Sequence, residues 1–126
     1  MEETIILPGS VRSKKNSKSI ILGRGKNRPI IVPSSAYRKW EKIARKAAKA
    51  QWTHGLLAYN CSVKVTVQAY YAGRKPDLSG VLESIGDCLE GIVWENDGQI
   101  VSWDGSRLFH DKDNPRTEVT VTWKAR

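Results

Sequence analysis

Between Pro76 and Ser106 the chain carries Asp77, Glu83, Asp87, Glu90, Glu95, Asp97 and Asp104 and not one lysine or arginine. Carboxylates are the hard oxygen ligands that magnesium takes, and a divalent ion so held activates water and stabilises charge on a phosphate. Spacing sharpens the pattern. On a helix, at about 100° per residue, Glu83, Asp87 and Glu90 share one face with Ser79, while Leu82, Ile85, Leu89 and Ile92, widened by Val81 and Cys88, form the apolar stripe opposite. Like charges at such spacings cost about 0.2–0.5 kcal/mol per pair unless something neutralises them. Asp77 at the helix entry and Asp97 shortly after its exit extend the same acidic site. The plain alternative is that Asp77 is only an N-cap and that Glu83, Asp87 and Glu90 only face water. Gly80 and Gly86 weigh against it, because each costs about 1 kcal/mol relative to alanine in a helix interior. Small residues flanking an acidic face point to a close approach by another group.

The cations lie elsewhere. Net charge is +8, and residues 1–50 hold 13 of the 21 lysines and arginines against only Glu2, Glu3 and Glu41. A basic surface beside an acidic segment suits a metal-dependent nuclease, in which cations hold a phosphate backbone and carboxylates hold the metal. It equally suits a basic protein with a solubilising acidic patch. The candidates for DNA contact are Arg12, Lys14, Lys15 and Lys18 in a basic loop, Arg24, Lys26 and Arg28 at a hairpin tip, and Arg74 and Lys75 just before Asp77.

Other chemistries find little support. His54 and His110, the only histidines, sit in expected loops with no nucleophile motif nearby. Gly23-Arg-Gly-Lys26 lacks the ending of a phosphate-binding loop of the Walker type. Cys61 and Cys88 form no metal-ligand spacing and read as small buried residues or free thiols. The five tryptophans could stack on bases, yet Trp40 and Trp123 lie on core-facing stripes.

Stepping outward to the elements that must position these residues, 126 residues with 40% apolar content allow one domain, residues 1–126. Thr4–Leu7 reads as a strand stopped by Pro8-Gly9. Ser19–Leu22 and Pro29–Val32 read as a hairpin around 23–28. A helix starts after Pro33 with Ser34 or Ser35 as its cap and runs to about Gln51. Its buried stripe is Trp40, Ile43, Ala44, Ala47 and Ala48; Arg38, Lys42, Arg45 and Lys49 form a cationic stripe that either contacts DNA or is simply solvated. Alternation from Cys61 to Tyr71 gives the clearest strand. A second helix follows over Leu78–Leu89, and strands over Gln99–Trp103, Arg107–Phe109 and Thr117–Trp123 complete the chain. The expected class is α+β, with one mixed sheet covered by two helices and no repeating βαβ rhythm.

With these residues in view, Lys75-Pro-Asp-Leu-Ser-Gly-Val-Leu-Glu-Ser-Ile-Gly-Asp-Cys-Leu-Glu-Gly91 followed by Asn96-Asp-Gly-Gln-Ile100 resembles the signature of the RusA-type crossover junction endodeoxyribonucleases. Pro8-Gly-Ser-Val-Arg-Ser-Lys-Lys-Asn-Ser17, Pro33-Ser-Ser-Ala-Tyr37, Asp104-Gly-Ser-Arg107 and Pro115-Arg-Thr-Glu118 are similar to phage-type members. The resemblance implies a homodimer that binds four-way DNA junctions and makes paired nicks with magnesium, or manganese in its place. It maps the family's aspartates onto Asp77 and Asp97. It also marks departures: Ser79 stands where a second aspartate is usual, Gly80 where asparagine is, Glu83 where many members have lysine, and Asn96 begins the usual Asp-Asp pair.

The resulting expectation is a magnesium-dependent junction resolvase of DNA recombination and repair, with Asp77, Asp97, Glu83 and Asp87 catalytic and Asp77, Asp97 and Asp87 binding the metal. The alternatives are a junction-binding protein that has lost catalysis, as Ser79 and Asn96 suggest, and a general nucleic-acid or RNA-binding module. No apolar run is long enough to span a membrane, and Met1-Glu-Glu-Thr4 does not resemble a secretory signal. The expected location is the cytoplasm of a bacterial cell, from a host, phage or prophage gene.

Overall fold

Strict alternation of apolar and polar residues builds the central sheet. In β4 (Val63–Tyr71) Val63, Val65, Val67 and Ala69 face the core; in β7 (Arg116–Trp123) Thr117, Val119, Val121 and Trp123 do so. The two pair antiparallel in a register that sets Val65 opposite Val121 and Val67 opposite Val119, and β1 (Glu2–Pro8) continues the sheet beyond β7 with Ile5 and Leu7 inward. A one-residue slip would turn every one of these side chains to solvent, so the alternation fixes the register. The computed structural model describes residues 1–13, 18–22, 29–33 and 35–124.

On its other edge β4 meets two short parallel strands, β5 (Ile100–Ser102) beside its first residues and β6 (Arg107–His110) beside its last. The gap between them is bridged by side chains. Thr66 Oγ1 donates to the Asp104 carbonyl at 2.9 Å, and Ser106 Oγ accepts from the Val67 amide at 2.9 Å. Gly105, at φ +83°, makes the turn that lets residues 103–106 leave and rejoin the sheet edge.

Both helices cover the same inner face. Helix α1 (Ser35–Gln51) lies along β1, where the Gln51 side-chain amide both donates to the Ile6 carbonyl and accepts from its amide, each at 2.7 Å. Helix α2 (Leu78–Cys88) forms the crossover from β4 to parallel β5, burying Val81, Ile85 and Cys88 with Leu89 just beyond. Four of the tryptophans, 40, 52, 94 and 123, are buried in this core, which leaves them to packing and not to base stacking. Cys61 and Cys88 are free and buried, and burial followed by the nearby Glu41 charge pushes the Cys88 thiol up to about 12.

The fold class holds: an α+β domain with a five-stranded mixed sheet and two helices. Four details differ from expectation. The hairpin β2 (Lys18–Leu22) and β3 (Pro29–Pro33) forms its own two-stranded sheet and does not join the main one. Ile43 is 49% exposed, because the buried stripe of α1 is centred on Tyr37, Trp40, Ala44 and Ala48 and Ile43 lies about 100° away from that centre on the helix. His110 ends β6 and packs against Tyr71, with 5.4 Å between ring centroids, where a loop was expected. Arg45, expected on the cationic face of α1, instead turns toward the end of α2, where its Nη1 donates to the carbonyls of Cys88 at 2.6 Å and Glu90 at 3.0 Å. The carbonyls at a helix end lack intrahelical partners and carry the negative pole of the helix, so a guanidinium fits there.

Arg45→Ala is therefore expected to cost about 2 kcal/mol, since it leaves two carbonyls without their charged donor, measured as a lower urea midpoint. An unchanged midpoint would mean that water replaces the guanidinium at no cost.

Candidate active site

Asp77 follows Lys75 and Pro76 on the segment that leaves the carboxyl end of β4 and enters α2. In sheets with parallel strands, ligands commonly bind beyond the carboxyl ends, and here β4 and β6 run parallel at that end. Asp77 occupies the N-cap position, with φ −82° and ψ 126°, but its side chain makes no capping bond. Instead its Oδ2 accepts from Ser79 Oγ at 2.7 Å. The capping account of Asp77 fails on this geometry. Ser79 orients the Asp77 carboxylate.

Two open clefts share Lys75, Pro76 and Asp77 as their common wall. The first, of about 700 Å³, is lined also by Ser10–Ser13 and Ala72–Arg74, so Arg12, Arg74 and Lys75 surround it. The second is lined also by Leu78, Ser106, Arg107 and Leu108. Asp77 thus lines both recesses, beside Arg12, Arg74 and Lys75 in the first and Lys75 and Arg107 in the second.

The glycines of α2 explain what approaches the helix. A Cβ on Gly80 would sit 2.0 Å from Ser13 Oγ and 2.9 Å from Ser13 Cβ, with Asp77 Oδ2 at 3.7 Å. One on Gly86 would lie 3.5 Å from Asp97 Cβ, 3.7 Å from Asp97 Oδ2 and 3.9 Å from Trp103. The first glycine admits the basic amino-terminal loop, and the second lets Asp97 rest on the helix. Gly80 and Gly86 are separated by about 9 Å along the axis, from six residues of rise, so the two aspartates mark different turns of α2.

Asp97 is held by its turn. It begins a short 3-10 segment, Asp97–Gln99, capped by Asn96, whose side chain accepts from the Gly98 amide at 2.7 Å. The buried Gln99 side chain accepts from the amides of Glu95 and Asn96 and donates to the Ala58 carbonyl at 2.8 Å. Trp94, fully buried, donates from Nε1 to the Gly86 carbonyl at 3.0 Å, and the Asp97 amide donates to Glu90 Oε1 at 3.3 Å. Asn96 works here as a cap.

Asp77, Asp97 and Glu83 are exposed and Asp87 is half-buried. Among the described residues no group of three or more histidine, cysteine, aspartate or glutamate side chains could hold a metal ion, so Asp77, Asp97 and Asp87 do not form a preassembled cage. Of the expected DNA contacts, Arg12, Arg74 and Lys75 line the first cleft. Lys18 opens β2, and Lys14, Lys15, Arg24, Lys26 and Arg28 lie outside the described residues, as does Ser34 of the expected helix cap. Sequence reasoning missed Arg107, which lines the second cleft. It missed Ser13 as well, whose pressure on Gly80 was visible only as an unexplained glycine.

The family model for the endodeoxyribonuclease RusA matches residues 8–122. The chain belongs to the RusA endodeoxyribonuclease family. The match spans Ser13, both clefts, Asp77 and Asp97. RusA proteins are Holliday junction resolvases that act on junction DNA. No curated protein matches the chain. Among the described residues no helix is long and apolar enough to cross a membrane.

The two glycines should respond differently to the same substitution. Gly86→Ala meets only ordinary van der Waals distances and is expected to leave stability unchanged or raise it by up to about 1 kcal/mol through helix propensity. Gly80→Ala forces Ser13 aside and is expected to cost about 1–3 kcal/mol, with part of the loss recovered by Ser13→Gly. Equal thermal midpoints for the two alanine variants would contradict the close approach of Ser13.

Proposed function

We propose that this RusA-family chain resolves four-way DNA junctions by magnesium-dependent hydrolysis, with Asp77 and Asp97 as its essential carboxylates. The observation that supports this reading best is that Asp77, whose carboxylate accepts a hydrogen bond from Ser79, lines both of the recesses that hold Arg12, Arg74, Lys75 and Arg107. A phosphodiester drawn between those cations is brought to the carboxylate.

The donor chemistry fits the metal. Magnesium commonly takes one or two carboxylates and fills its remaining positions with water and substrate phosphate, so it does not require a three-carboxylate cage. Asp77 and Asp97 would hold it, with Asp87 or Glu83 completing the site and manganese able to substitute. When bound, the ion supplies Lewis-acid stabilisation of the phosphate and lowers the pKa of the attacking water.

The chain's own residues do the rest. Ser79 fixes the rotamer of Asp77, which spares the ordering cost at the moment of binding. The turn around Asn96 and Gln99 holds the backbone of Asp97, while Gly86 lets its side chain lie on α2. Arg12, Arg74 and Lys75 neutralise the incoming backbone, an interaction that weakens as salt rises. Paired nicks across a symmetric junction need two such sites, and a twofold homodimer supplies them. This activity places the protein in DNA recombination and repair.

Asp77→Asn and Asp97→Asn are each expected to abolish nicking of a synthetic four-way junction in magnesium while leaving junction affinity within about threefold, because both keep the side-chain volume and remove an anion from a DNA-facing surface. Chelation by EDTA should stop the wild-type reaction, and added magnesium should restore it. Binding without nicking by the wild-type protein would favour a junction-recognition role instead; full activity in either asparagine variant would remove that residue from the mechanism.

A further inference from the structure

The outer face of the sheet carries an unbroken row of stacked side chains. Tyr70 of β4 stands directly between Phe109 of β6 and Arg116 of β7 in register. The Phe109 and Tyr70 rings stack with centroids 4.8 Å apart and planes at 16°, the Arg116 guanidinium lies 3.9 Å over Tyr70, and the Arg107 guanidinium lies 5.7 Å from the Phe109 centroid. The row therefore has an arginine at each end.

The two arginines differ in what neutralises them. Arg116 Nε pairs with Glu118 at 3.0 Å and its Nη1 with Asp111 at 3.2 Å, and these hydrogen bonds raise its pKa, led by that to Glu118. Its charge is spent within the fold. Arg107 is exposed, and no carboxylate pairs with it among the described residues. It lines the second cleft, across from Lys75, Pro76 and Asp77. A guanidinium resting near an aromatic ring has part of its rotamer freedom already removed, and an unpaired one at a cleft mouth offers a planar fork that matches phosphate oxygens.

We propose that Arg107 is a phosphate-binding residue of the active site, holding the backbone phosphate on the opposite side of Asp77 from the one held by Arg12 and Arg74. The inference rests on the nuclease reading above and extends it, because it gives the bound strand a path: from the first cleft, past Asp77, into the second. Phe109 acts as a positioning residue for the Arg107 side chain. The strand is then gripped on both flanks of the bond to be broken, which fixes its distance from Asp77 in a way that a single basic patch cannot.

The test is a salt titration of DNA binding by the full chain, in calcium without magnesium, on a synthetic four-way junction and on a linear duplex of the same sequence. Each phosphate contact contributes about one unit to the slope of log affinity against log salt. Arg107→Ala is expected to lower the slope by about one and affinity by roughly tenfold at 0.1 M salt, whereas Arg107→Lys should keep the slope and recover part of the affinity. Phe109→Leu should keep the slope, since the charge remains, while weakening binding less than Arg107→Ala. Thermal midpoints within a few degrees of wild type ensure that folded proteins are compared.

An unchanged slope in Arg107→Ala, with wild-type protein that binds and nicks junctions, overturns the Arg107 contact and leaves the nuclease reading standing. A reduced slope in a protein that never nicks DNA in magnesium supports the contact and sinks the catalytic reading. Wild-type protein that binds neither DNA overturns both.

Discussion

The arrangement depends on how closely two segments approach α2 where it has no side chains. At Gly80, Ser13 occupies the volume that a Cβ would need; at Gly86, Asp97 and Trp103 lie at van der Waals distance from where a Cβ would stand. Each glycine weakens the helix by about 1 kcal/mol in propensity, and each is offset by packing that brings a distant part of the chain to the same element. At Gly80 the cost and the geometry are inseparable. A side chain at residue 80 would lift the segment carrying Arg12 off the cleft, and a larger one at residue 86 would push the Asp97 turn outward.

A second constraint acts through the edge of β4. Its first residues pair with β5 and its last with β6, and the break between them is bridged by Thr66 and Ser106 side chains in place of backbone ladder bonds. Without Ser106 Oγ the part-buried Val67 amide would lose its partner, whereas the exposed Asp104 carbonyl that Thr66 bonds could turn to water. The break permits Trp103 to turn toward Gly86 while Arg107 rejoins the sheet beside Gln68. One interruption therefore serves both aspartates: it follows the turn that carries Asp97 and precedes the strand that walls the cleft at Asp77.

Much of this was readable in the residues. Alternation in 61–71 and 117–123 identified the two central strands because both bury one face only, and the helical period marked α2 with its core stripe. The glycine pair signalled a close approach without naming the partners, since Ser13 and Asp97 are distant from those glycines in sequence and nothing in a local pattern links them. Ile43 was misassigned for a related reason: periodicity selects a stripe about 100° wide, but tertiary packing decides where its centre falls. Asp77 looked like a cap because its position is a capping position; only the folded structure has its side chain make no capping bond and accept from Ser79 instead.

Charge was the least legible property, and the reason is physical. A count of arginines says how many cations the chain has, not how many remain available after folding. Arg45 is consumed by the carbonyls at the end of α2, and Arg116 by Glu118 and Asp111 while it covers Tyr70. Arg107, which lies in no basic run, has no carboxylate partner among the described residues and lines the cleft on β6, whose parallel pairing with β4 sets its place. Available cations are thus found by subtraction: folding removes those it pairs with a carbonyl or carboxylate, and of those left Arg12, Arg74, Lys75 and Arg107 line the clefts that share Asp77.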